Sequence, residues 1–182
     1  MPKITPEIKL QIQSLSKHEL EKLVLIAAGK DKNFHDYLLI NYIDKEYGEK
    51  DLFEKVKADL DILFCKSYKG FSEELQLANM ISACVKRINL FSKVCKKKNL
   101  EVDLLMYVLE IPFSLTTNMF GTCFTKYDYK VGLLVKRVIT LIEKKLHPDY
   151  KIEYQEKVNQ YLTILHRTSK HIDFIYNMPK YI

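Results

Sequence analysis

Apolar residues return along this chain every three or four positions, the period of a helix with one buried face. Leu52, Val56, Leu60 and Leu63 show the spacing, as do Val131, Leu134, Val135, Val138, Ile139, Leu141, Ile142 and Leu146. Helix start and stop signals punctuate the pattern. In "ITPEIKLQIQSL", Thr5 can cap a short first helix, and Pro6 suits the first helical position, where no N–H is needed. Ser16 and Glu19 form an S-x-x-E capping box, with Leu15 and Leu20 spaced as a hydrophobic staple, so a second helix runs to about Gly29. A third spans residues 31–48 and a fourth 49–70. Ser72, followed by Glu73 and Glu74, opens a fifth that continues to about Lys97. A sixth covers 99–115, kinked or ended by Pro112; a seventh covers 128–146 and a last 147–178.

These segments predict an all-α fold of about eight helices in antiparallel pairs, forming a single domain over residues 1–182. The seventh segment is apolar around nearly half its circumference, so it packs against more than one neighbour. An α-solenoid of the HEAT or armadillo kind and a compact orthogonal bundle both satisfy that requirement.

At "LSKHEL" the Leu-Ser-Lys-x-x-Leu opening, with the paired helices after it and the late "LLMYVLEI" segment, resembles uncharacterised all-helical bacterial proteins known as domains of unknown function. The resemblance implies a helical fold and carries no activity or site residue with it.

Composition sharpens the picture in four places. Apolar content of 47% with 29% charged residues argues against disorder. The longest apolar runs, "LVLIAA" and "LLMYVL", fall far short of the about 20 residues that span a bilayer, and no secretory signal opens the chain. Four cysteines without a C-x-x-C point to free thiols in a reducing cytoplasm. A net charge of +6 is compatible with nucleic-acid binding without requiring it.

Candidate chemistry is sparse. Cys84, Ile88, Phe91 and Cys95 fall within about 60° of arc on one helix and read as core; Cys65 reads the same way. Opposite that stripe lie Lys86, Lys93 and Lys97, joined by Arg87, with no acidic residue between Leu75 and Leu100. A second basic cluster holds Lys130, Lys136, Arg137, Lys144 and Lys145. If the two helices lie side by side, Lys86, Arg87, Lys93, Lys97, Lys136 and Arg137 could form a surface for an acidic protein or a nucleic acid. Helix C-termini also gather cations on dipole grounds alone. His166 and His171 do not share a helical face as paired zinc ligands do. Asp149, Glu153 and Glu156 align, yet acidic first turns are common. In "TTNMFGTCFTKYDYK" Cys123 has no neighbouring histidine; Met119, Phe120 and Phe124 read as anchors of a connection, with Asn118 and Gly121 turning it.

The reading that follows is a helical scaffold or protein-interaction module without catalytic activity, cofactor or metal. The alternative is a nucleic-acid-binding helical-repeat protein using the basic helix faces. A third possibility, an enzyme built on Cys123 or on the Asp149–Glu156 carboxylates, requires one of those groups to sit in a cleft.

Overall fold

The computed structural model describes residues 4–44, 47–115 and 119–182. Among them the backbone is helical and contains no strand. The elements are α1 (Pro6–Ser14), α2 (Lys17–Lys30), α3 (Lys32–Leu38, continued by a π turn over Leu39–Ile43), α4 (Gly48–Phe64), α5 (Glu73–Val94), α6 (Lys98–Ser114), α7 (Thr125–Lys145), α8 (Pro148–Thr168) and α9 (Asp173–Tyr176). The all-α expectation therefore holds. Contacts divide the chain into two compact units, Met1–Glu49 and Lys50–Ile182.

Local signals act where they were read. The Thr5 side chain accepts the Ile8 N–H, and Ser16 and Glu19 complete a reciprocal capping box. Ser72 accepts from the Leu75 N–H at the start of α5. The differences lie where tertiary contacts decide. The third segment stops being α-helical at Leu38, where the ladder widens and the Asp44 N–H reaches the Leu39 carbonyl; the Asn41 side chain occupies the Tyr37 carbonyl there. Helix α5 ends at Val94, because Cys95 turns to extended backbone and is itself buried. Pro112 lies inside α6, which runs two residues beyond it. The last segment breaks at Ser169 into α8 and the short α9.

In the second unit α5 and α7 run side by side in the same direction: Lys126 meets Asn79 near their starts, and Arg137 meets Asn89 farther along. Helix α6 runs against both, so that Glu101 in its first turn faces Arg137 in the second half of α7. Helix α8 runs with α6, tied by Tyr154 to Asp103, Lys157 to Glu110, and a stacked Phe113–Tyr161 pair. Val102, Leu104, Leu105, Val108 and Leu109 of α6 are fully buried, which explains why "LLMYVL" is apolar on nearly every side. The stripe Cys84, Ile88, Phe91 and Cys95 is core, as its spacing indicates. Cys65 is not: α4 ends one residue before it, and its side chain is exposed.

The connection into α7 is held from both ends. Phe120 is buried between the rings of Phe113 and Tyr127. Gly121 has φ +75°, and its N–H donates to Asp128 Oδ2. Asp128 is buried, and that burial pushes its carboxyl above the ordinary value against the pull of the Gly121 N–H. Residues 116–118, Asn118 among them, lie outside the described residues.

Candidate interaction groove between α5 and α7

The condition attached to the two basic helices is met, since α5 and α7 are neighbours. Between them runs a groove of about 300 Å³. Its floor is Ile81 and Leu134, both buried, widened by Val85 and by the exposed Leu133. Lys86 from α5 and Lys130 and Arg137 from α7 form the rim, and Ser82 is its uncharged polar group. The composition follows from helical geometry. On α7, residues 130, 133, 134 and 137 share one face at the i, i+3, i+4, i+7 spacing, and on α5 residues 81, 82, 85 and 86 form two adjoining i, i+4 rows, 81–85 and 82–86.

Of the six residues expected to meet an anion, the structure brings two to this groove, Lys86 and Arg137. Lys93 continues the Lys86 stripe by two turns and is exposed at the end of α5. Lys97 lies beyond α5 altogether and is the N-cap residue of α6. Arg87 turns to the opposite side, where its Nε donates to Asp59 Oδ2 of α4 at 2.6 Å. Lys136 lies over the Phe174 ring of α9, 4.8 Å from its centroid, one helix face away from Arg137. Lys130, noticed only as part of the second cluster, proves to be the third rim cation.

Arg137 is not a loose surface charge. Its Nη2 donates to Glu101 Oε1 at 2.7 Å and its Nη1 to Asn89 Oδ1 at 2.6 Å. Lys98 Nζ closes on the other carboxylate oxygen, Oε2, at 2.7 Å. Glu101 is only 4% exposed, so a buried carboxylate on α6 fixes the guanidinium that edges the groove. Burial alone would raise the Glu101 pKa; the hydrogen bonds and charges of Lys98 and Arg137 outweigh it and hold the carboxyl below its ordinary value. Sequence reading missed Glu101, although it is the first acidic residue after an otherwise cationic stretch and stands three positions after Lys98.

A second cavity, of about 420 Å³, opens where α4, α6 and α8 meet. Most of its polar groups are already engaged. Lys57 lies over the Tyr107 ring, the Tyr154 hydroxyl donates to Asp103 Oδ1 at 2.6 Å, and Lys157 Nζ meets Glu110 Oε1 at 2.7 Å. The hydrogen bond to Asp61, burial and neighbouring carboxylates push Tyr107 up to about 12, and burial followed by Asp103 drives Tyr154 up further. Both phenols stay protonated at neutral pH and act as donors, not as bases.

The other reactive-looking groups are scattered. Burial pushes the Cys84 thiol up to about 12, which removes it as a nucleophile. Cys123 is exposed on the connection whose anchors are Phe120 and Gly121. Of Asp149, Glu153 and Glu156, only Glu153 lines the second cavity, and Asp149 pairs with His147 beside the start of α8. His166 faces the Pro179 carbonyl. Among the described residues, no group of three or more His, Cys, Asp or Glu side chains is placed to hold a metal ion. No described helix is long and apolar enough to cross a membrane. No protein-family model, curated protein or solved structure matches the chain.

Proposed function

We propose that this chain is a non-catalytic interaction module that grips an acidic amphipathic segment of a partner protein in the groove between α5 and α7. The observation that carries the reading is the pairing of an apolar floor with a rim of three cations. A helix laid in such a groove buries its apolar face on Ile81, Val85, Leu133 and Leu134 while its flanking carboxylates meet Lys86 and Lys130, beside the Arg137 that Glu101 holds in place. Each 100 Å² of apolar surface removed from water contributes about 2.5 kcal/mol before the cost of association. A phosphate backbone draws nothing from that floor, because its affinity comes from counterions released as Lys and Arg neutralise phosphates.

One feature favours nucleic acid instead. Phe71 is 92% exposed and pairs with Phe124 at the N-terminal ends of α5 and α7, beside Lys126, as a stacking platform would be. Two labelled probes separate the readings: an acidic helical peptide with apolar residues at i, i+4 and i+7, and a single-stranded oligonucleotide. The peptide is expected to bind, and the double change Lys86→Glu with Lys130→Glu to weaken it roughly a hundredfold, since each reversal turns an attraction into a repulsion. An oligonucleotide that binds through Phe71 while the peptide does not would replace this reading with the nucleic-acid one.

A further inference from the structure

The cavity where α4, α6 and α8 meet plays no part in the groove, and its lining has the chemistry of a site for a small organic cation. At about 420 Å³ it falls in the size range of small-molecule sites. Phe53, Met106 and Tyr107 supply aromatic and apolar surface. The charges that line it are three carboxylates, Asp103, Glu110 and Glu153, against two ammonium groups, Lys57 and Lys157. That balance leaves the lining one negative charge in excess, on a chain whose net charge is +6.

The internal pairings show which of these groups a ligand would meet. Lys157 Nζ is taken up by Glu110 Oε1 at 2.7 Å. The Tyr107 hydroxyl donates to Asp61 Oδ1 and the Tyr154 hydroxyl to Asp103 Oδ1, so both rings are held by their rims. Glu153 is exposed and makes no hydrogen bond or ion pair among the described residues. Lys57 is the most informative group. Its ammonium is half-buried 4.9 Å from the centroid of the Tyr107 ring, and no described carboxylate lies within ion-pair distance of it. The negative face of a ring that lines the cavity is therefore already holding a cation. A lysine ammonium is strongly hydrated and rides on a flexible stem, so it can swing back into water. A methylated ammonium is less hydrated, and its methyl groups have Phe53 and Met106 to pack against. An anion would instead face three carboxylates.

We propose that this cavity binds a small organic cation of the quaternary ammonium class, its charged head over the Tyr107 ring in place of Lys57 and its charge balanced by Glu153. Titration of the intact, isotope-labelled chain with choline, and separately with dimethylbutanol, its uncharged carbon isostere, tests this by amide shift mapping. Choline is expected to shift residues 103–110 and 153–157 saturably, and the isostere to bind roughly tenfold more weakly. Tyr107→Phe, which keeps the ring, is expected to retain choline, whereas Tyr107→Leu weakens it roughly tenfold. Lys57→Met removes the internal competitor and is expected to tighten choline roughly threefold, a gain that a purely structural contact between lysine and ring does not produce. A wild-type chain without saturable shifts overturns the proposal, as does an isostere that binds as well as choline, which would make the cavity a mere apolar hollow. Lys57→Met that fails to tighten choline also overturns it, and because that variant leaves every hydrogen bond of the cavity in place, a folding defect in Tyr107→Leu does not blunt the test.

Discussion

Replacing Glu101 with Ala is expected to lower the stability of the chain by about 3 kcal/mol, because it strips the anion from a largely buried cluster and leaves Arg137 and Lys98 facing each other. The magnitude sits at the low end for a broken buried ion pair, since both cations keep part of their surface in water. The pH dependence gives an independent check. The folded-state pKa of Glu101 is lowered from 4.5, so its ionised form is favoured by folding. Its contribution is fully present above about pH 4.5 and is lost as the pH falls through the lower folded value. Chemical denaturation across that range should show the wild type losing stability on acidification. Glu101→Gln, which keeps an acceptor oxygen but not the charge, should show a flatter profile. A Glu101→Gln profile that follows the wild type would mean that the pair does not hold α6 to α7.

The second large effect is expected at Gly121. Its φ of +75° is a conformation that a β-branched residue scarcely adopts, and a Cβ placed there would stand 2.6 Å from the Thr168 carbonyl oxygen. That oxygen belongs to the backbone at the end of α8 and has no flexible side chain to move aside. Gly121→Val is therefore expected to cost about 3 kcal/mol, from left-handed strain together with displacement of the corner from α8. The damage should reach the Asp128 contact, since the Gly121 N–H is the donor to its Oδ2. Thermal melting and amide hydrogen exchange at Gly121 would measure it. A variant as stable as the parent would show that the corner is loosely held and that the connection into α7 is free to move.

These two sites also show where sequence reading reaches its limit. The Thr5 cap and the Ser16–Glu19 box were legible because donor and acceptor lie within three residues, so the chemistry is complete in the local string. Apolar spacing located the long helices for the same reason. The ends of α5 and α3 were not legible, because the residues beyond them keep a helical pattern while buried Cys95 and the Asn41–Tyr37 hydrogen bond break the ladder. The candidate surface divides in the same way. Lys86 and Arg137 could be suspected from charge alone, but Arg137 is anchored by a carboxylate 36 residues earlier in the chain, a pairing that no local period encodes. Adjacent Lys136 and Arg137 looked like one cluster, yet neighbours on a helix point about 100° apart, and the two end on different sides of α7. Lys130 and Arg137, seven apart, were the pair that the spacing favoured.

Amide shift mapping of the isotope-labelled chain, titrated with the acidic amphipathic peptide, bears most directly on the groove. Saturable shifts confined to residues 81–89 of α5 and 130–137 of α7, abolished when Lys86 and Lys130 become Glu, are the expected result. Shifts centred instead on Tyr107 and Tyr154 in the second cavity, or none at any peptide concentration, would contradict the assignment of the α5–α7 groove as the working surface.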